Sequence, residues 1–226
     1  MNETQIRHSP APQHMPGTAG AGIGVLLHRP RLYDFFVELA LLGRAPSFRE
    51  QLLGLAALRP GEVVLDIGCG TGSLALLAKE ATGASGIVCG VDASAEMIAW
   101  ARQKAERAGA EVDFQRAPAQ ALPFPDGRFD VAFSTLMLHH LPKKARARLA
   151  AEARRVMRPG GRVLVVDFAA ASPRKGLMRH LRHRHGNVAL PEILALLEEA
   201  GLDVVARGAV GIKGVHYALA RVPAVS

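Results

Sequence analysis

Short apolar runs alternating with helical stretches of about a dozen residues predict an α/β fold, a doubly wound and mostly parallel sheet with helices on both faces. The runs at 63–65, 87–91, 112–114, 129–133 and 162–168 are rich in β-branched and aromatic residues and lie between turn residues. Helical periodicity occupies the intervals 73–79, 95–108 and 143–157. Strands separated by a helix need crossover connections, which place them parallel. The end of the chain is different. A helix over 191–200 stops at Gly201, and two further runs, 202–206 and 215–220, are close enough to pair antiparallel.

The chain has 226 residues, 49% of them hydrophobic, which is enough for one domain with a sizeable core and excludes a fibrous or wholly disordered chain. Residues 1–30, rich in Pro, Gly and His without a sustained period, read as a flexible tail. Residues 31–58 read as a two-helix segment broken around Gly43 and Pro46, so that 31–226 forms a single domain. The apolar run at 19–27 is glycine-broken and falls well short of the roughly 20 residues of a membrane span. It also lacks a signal-peptide pattern, and the expected location is cytoplasmic. Two cysteines, Cys69 and Cys89, cannot make a disulfide framework.

The densest chemistry lies in Val64-Leu65-Asp66-Ile67-Gly68-Cys69-Gly70-Thr71-Gly72, between a strand and a helix. Glycines at every second position let the backbone approach a ligand, and the helix behind them offers unpaired N–H groups. The spacing G-x-G-x-G departs from the dinucleotide pattern G-x-G-x-x-G, and no Gly-Lys-Ser/Thr follows to make a phosphate loop. These departures argue against a nicotinamide-dependent oxidoreductase. At the end of the second strand Asp92 can accept hydrogen bonds from two ribose hydroxyls or cap the next helix, a task Ser94 can perform instead.

Four ordered segments carry a family resemblance: 65–72, then Gly90-Val91-Asp92-Ala93-Ser94-Ala95-Glu96-Met97, then 121–131, and Arg158-Pro159-Gly160-Gly161-Arg162. Over roughly residues 32–220 the chain resembles class I S-adenosylmethionine-dependent methyltransferases, in the branch that includes the ubiquinone/menaquinone C-methyltransferases. The resemblance implies a Rossmann-like seven-stranded sheet with its last strand antiparallel, and S-adenosyl-L-methionine as cofactor. It further implies that Asp66 holds the methionine amino group and that Gly68, Cys69, Gly70 and Gly72 line that moiety. Asp92 would bind the ribose, with Ala93 and Met97 packed on adenine. Many relatives place an acid after the third strand, where this chain has Pro118, so Ala119 and Gln120 are the expected adenine contacts. Ser134 and Leu136 would line the cofactor after the fourth strand.

Methyl transfer needs a desolvated site and a near-attack geometry, and a base only where the nucleophile carries a proton. His139 and His140, in Leu138-His139-His140-Leu141, are the histidines nearest the expected reaction centre. Each is a candidate catalytic base, and each could equally cap the helix from Lys143 or pack beneath the cofactor. Adjacency is expected to point their rings apart, and no metal site is expected. Tyr33, with Asp34, either closes over the cofactor as in quinone-type relatives or is an ordinary amphipathic-helix residue.

Charge gives a second theme. Lys and Arg number 28 against 20 Asp and Glu, a net +8. The excess concentrates in the connection 171–188, with Arg174, Lys175, Arg179, Arg182 and Arg184, which reads as a basic lid or as a solvated charged face. The expected acceptor is a small molecule, anionic or lipophilic, with peripheral contact to an anionic membrane surface as a further role of the lid. An RNA substrate is disfavoured by the lack of an added RNA-binding module and of a suitable catalytic tetrad. A non-catalytic cofactor-binding protein is disfavoured by the intact glycines and Asp92. Oligomeric state is silent.

Overall fold

The structure, a computed structural model, describes residues 45–168 and 188–224. The expected tail, the first helix of the 31–58 segment, Tyr33, and the basic connection apart from Val188 lie outside the described residues. The elements run α1 (Ala45–Leu55), β1 (Val63–Ile67), α2 (Ser73–Thr82), β2 (Ile87–Asp92), α3 (Ala95–Ala108), β3 (Asp113–Arg116) and β4 (Phe129–Thr135). A 3₁₀ turn (Leu138–His140), α4 (Lys143–Val156), β5 (Met157–Phe168), α5 (Leu190–Glu199), β6 (Asp203–Ala209) and β7 (Val215–Arg221) follow.

The sheet has seven strands in the order β3-β2-β1-β4-β5-β7-β6. β1 to β5 are parallel, and β7 is inserted antiparallel between β5 and β6. The strand order reverses between β1 and β4, so a crevice opens there at the carboxyl ends of the strands. Alternation along β1 sorts the core into two layers. Leu65 and Ile67 join Leu149 and Ala153 of α4 and Ile193 and Leu197 of α5. Val64, on the other face, joins Phe48 and Leu52 of α1, Leu74 and Ala78 of α2, and Ile98 and Ala101 of α3.

The starts of β5 and β3 differ from the sequence reading for reasons of pairing. β5 begins at Met157, whose partner is Phe129, and carries Arg158-Pro159-Gly160-Gly161 as an irregular strand start. Gly160 N–H donates to the Val222 carbonyl at 3.0 Å and Val222 N–H to the Gly161 carbonyl at 2.8 Å, so this turn-like sequence is held in the sheet. β3 begins at Asp113, which pairs with Cys89, and leaves Val112 outside.

Candidate functional site

The glycine turn leaves the carboxyl end of β1 and runs into α2. Gly68, Gly70 and Gly72 have φ of 75°, 52° and 76°, conformations that a side chain resists. A Cβ on Gly68 would come within 2.5 Å of Met137 Cγ, and one on Gly72 within 2.6 Å of the Phe114 ring. The loop folds back over β2: the N–H groups of Gly68 and Cys69 both donate to the Val91 carbonyl, at 2.8 and 2.9 Å. Cys69 is buried, and burial pushes its thiol well above the usual range, so it lines the loop as a neutral group.

Asp66 stands just before this turn, 2% exposed, with Oδ2 lacking any hydrogen-bond partner among the described residues. Burial first, and the nearby Asp92 second, push its carboxyl up to about 7, against the pull of the Ala75 backbone N–H and Arg49. Asp92 ends β2. Its Oδ2 accepts from Gly70 N–H at 2.9 Å and its Oδ1 from Ser94 N–H at 2.8 Å, so it braces the glycine loop. Burial raises its pKa too, opposed by the N–H groups of Ser94, Gly70 and Ala93. The helix cap falls to Ser94, whose Oγ accepts from Met97 N–H at 3.2 Å.

Met97 is buried in the first turn of α3 and Ala93 half-buried beside it. After β3, Ala117 N–H donates to the Asp92 carbonyl at 3.0 Å, which brings the half-buried Ala119 and Gln120 to the same edge of the sheet. Near the end of β4, Ser134 is buried and pairs in register with Ile67, while Leu136, just beyond the strand, turns the chain with φ of 53°, an unusual conformation for a side-chain-bearing residue. Ser134 Oγ has no hydrogen-bond partner among the described residues. The sequence-predicted groups other than Tyr33 thus meet at the carboxyl ends of β1, β2, β3 and β4.

The 3₁₀ turn after β4 corrects one expectation. The rings of His139 and His140 do not diverge: their centroids lie 3.9 Å apart. Neither caps α4, whose N-cap position is Pro142. His139 Nδ1 lies 2.7 Å from Asp167 Oδ1, and His139 N–H donates to Asp167 Oδ2 at 3.2 Å. A carboxylate only accepts, so this contact puts the ring proton on Nδ1 and leaves Nε2 with the lone pair. Asp167 is fully buried near the end of β5 and also accepts from Phe168 N–H.

Sequence reasoning did not single out Asp167. The signal available was an acid ending the apolar run Val163-Leu164-Val165-Val166, at the same sheet edge as Asp66 and Asp92. His216 was missed as well. It is the antiparallel register partner of Asp167 on β7, and its Nδ1 is buried without a partner among the described residues. No group of three or more His, Cys, Asp or Glu able to hold a metal occurs among the described residues.

Comparison with known proteins agrees with this geometry. A family profile described as a methyltransferase domain matches residues 64–161. A ubiquinone/menaquinone biosynthesis C-methyltransferase of Geotalea daltonii is 30% identical, with 74% of this chain and 70% of that protein covered. The 27-O-demethylrifamycin SV methyltransferase of Amycolatopsis mediterranei is 36% identical over 74% of this chain and 63% of its own. The crystal structure of an S-adenosylmethionine-dependent methyltransferase from Aquifex aeolicus matches with a TM-score of 0.69 at 24% identity, covering 86% of this chain and 98% of that one. The chain spans 53–63% of the length of the first curated relatives it matches.

Proposed function

We propose small-molecule methylation for this chain, which belongs to the class I S-adenosylmethionine-dependent methyltransferase family. The observation that carries the reading is the buried Asp66 Oδ2 without a partner among the described residues, set beside a glycine turn shaped by positive φ. A lone buried carboxylate oxygen is costly unless a donor from outside the chain completes it. The ammonium of the cofactor's methionine moiety is such a donor.

S-adenosylmethionine supplies an electrophilic methyl group on a sulfonium. This chain's residues do the rest. Asp66 holds the amino group, Gly68, Cys69, Gly70 and Gly72 line the methionine moiety, and Asp92 takes the ribose hydroxyls. Ala93, Met97, Ala119 and Gln120 border adenine, and Ser134 and Leu136 border the reacting end. His139 is the base, its Nδ1–H held by Asp167 and its Nε2 free to take a proton from the acceptor. A built base implies an acceptor that must lose a proton, and among common acceptors a hydroxyl needs that help where a thiolate does not. His140, its ring tilted at 44° against that of His139, supports that ring.

The remaining assignments rest on sequence. Tyr33 covers the cofactor, the basic connection 171–188 forms a lid over an anionic or lipophilic acceptor, and residues 1–30 are a tail outside the single domain 31–226. Peripheral contact with an anionic membrane belongs to that lid, and the location is cytoplasmic. No described helix is long and apolar enough to cross a membrane.

Two measurements test the reading. Thermal shift should show stabilisation by S-adenosylmethionine and its demethylated product and none by NAD. An acceptor screen with labelled methyl donor, read by mass spectrometry, should return O-methylated products; exclusive transfer to thiols would remove the need for the base and sink that part.

A further inference from the structure

A buried guanidinium below the 3₁₀ turn is used neither by the motifs nor by the proposed chemistry. Arg146, in the first turn of α4, is 5% exposed. Its Nε donates to the Leu138 carbonyl at 2.9 Å, and its Nη1 to Glu192 Oε1 at 2.7 Å, in the first turn of α5. A charge this deep is tolerated only when paired and hydrogen-bonded, and the rigid fork of arginine sets two partners in one geometry.

The carbonyl it grips belongs to the peptide unit joining Leu138 to His139. The N–H of that same unit donates to Asp167 Oδ2 at 3.2 Å. One peptide plane is therefore held at its oxygen from α4 and at its nitrogen from β5. Because the plane is rigid, rotation about it would carry His139 Cα and the imidazole away from Asp167 Oδ1. Leu141 N–H, at 2.9 Å from the same Leu138 carbonyl, closes the turn but comes from the turn itself and cannot anchor it to the rest of the fold.

We propose that Arg146 is a positioning residue for His139: it locks the Leu138–His139 peptide plane, and through Glu192 it ties that plane to the start of α5, the helix following 169–187. This inference rests on the reading of His139 as the base. The placement of the base then depends on α5 being seated against α4. The bond to the carbonyl is charge-assisted, the stronger class of hydrogen bond, and its loss removes the hold of α4 on that peptide plane.

The test uses the full chain labelled with ¹⁵N-histidine. Long-range ¹⁵N–¹H correlation reads which nitrogen of His139 carries the proton and how fast the Nδ1 proton exchanges. In Arg146→Met the Nδ1 proton should exchange about tenfold faster, the factor one such hydrogen bond is worth, and the Nε2-protonated tautomer should appear. Glu192→Gln should shift the spectrum the same way and less. Arg158→Met, which removes an exposed pair with Asp130, should leave the His139 signals unmoved.

Should Arg146→Met fail to fold by circular dichroism, Arg146→Lys carries the test. It keeps the charge beside Glu192 and lacks the Nε donor, so the faster exchange should persist. An unchanged His139 spectrum in a folded Arg146 variant overturns the proposal, and a change in Arg146→Met with none in Glu192→Gln removes the link to α5. Calorimetry with the demethylated cofactor product runs alongside. Equal affinity in all variants is expected, whereas no binding to the unmodified chain overturns the methyltransferase reading and leaves the imidazole result to be judged separately.

Discussion

The two halves of the site are built in opposite ways. The half at β1 and β2 is made of neighbouring residues: one nine-residue strand-and-glycine segment, 64–72, braced by a single acid, Asp92, at the end of the adjacent strand. The half at β4 and β5 is made of residues far apart in the chain. His139 meets Asp167 across 28 positions and Arg146 meets Glu192 across 46. On the proposed reading the first half binds with backbone and carboxylate, and the second does its work through a side chain held by other side chains. They touch at Met137, whose side chain occupies the space a Cβ on Gly68 would need. A ligand's recurring part can thus be met by a contiguous segment, while the chemistry on its reacting end is set by packing that no short motif records.

If that division holds, breaking the second half should leave the first intact. Asp167→Asn keeps the shape but no longer selects the Nδ1–H tautomer, and the maximal rate should fall by roughly 10²- to 10⁴-fold. His139→Ala should fall as far, and the two should not add. Affinity for the demethylated cofactor product should stay within about twofold in both. A matching loss of affinity would show that the two halves are one structural unit and dissolve the contrast.

The first half should fail through its backbone. Gly72→Ala combines φ of 76° with a Cβ 2.6 Å from Phe114 and 2.9 Å from Ala101. Strain and overpacking together should cost about 2–4 kcal/mol of folding stability, read from urea denaturation. Gly109→Ala supplies the control, because φ is 61° there, in the same left-handed region as Gly72, and nothing lies within 4 Å. It should cost only about 1 kcal/mol, the strain alone. Equal costs would mean that the close packing around Gly72 contributes nothing.

Asp92→Ala tests the brace between loop and ligand. Removing the acceptor of Gly70 N–H and of two ribose hydroxyls should weaken cofactor binding by about 1–3 kcal/mol, measured by calorimetry. Retained affinity would assign Asp92 to the loop and not to the ligand.

The same contrast explains what could be read from sequence. The element order, the sheet and the glycine turn were legible because each depends on local periodicity and turn chemistry: α3 was expected over 95–108 and occurs as Ala95–Ala108. The antiparallel pairing of β6 with β7 was legible for the same reason, while for the cap of α3 the sequence left Asp92 and Ser94 both open and the structure gives it to Ser94. The role of Asp167 was not. An acid in an apolar strand carries no mark of what it faces, and its partner lies on a turn whose twist depends on Leu136 adopting a left-handed φ. The expectation that adjacent histidines diverge failed because it took adjacency alone as a guide, whereas the side-chain torsions bring the two ring centroids to 3.9 Å. Arg146 was hidden among the exposed cations of α4, since one buried guanidinium looks like any other in a basic amphipathic helix.

The smallest expected effect sharpens the first half further, through pH. Asp66 titrates near 7 in the free protein because burial and the facing Asp92 disfavour its charge, with Arg49 and the Ala75 N–H opposing. An ammonium is held by the carboxylate and not by the acid, so binding must ionise Asp66. The cofactor's amino group stays cationic below its own pKa of roughly 8. Affinity should therefore rise with pH toward 7 and level off, with a dissociation constant about tenfold higher at pH 6 than near pH 7.5. Stability of the ligand-free chain should move the other way. The folded pKa is raised above the unfolded value of 3.8, so the folded state holds the extra proton between those values. That contribution is fully present below the unfolded pKa and is lost as pH rises through about 7. Asp66→Asn should flatten both profiles, and Asp92→Asn should move the affinity midpoint to lower pH by removing the facing charge. An affinity independent of pH between 6 and 7.5 in the unmodified chain, with Asp66→Asn binding equally well, would mean that the orphaned carboxylate serves the fold and not the ligand.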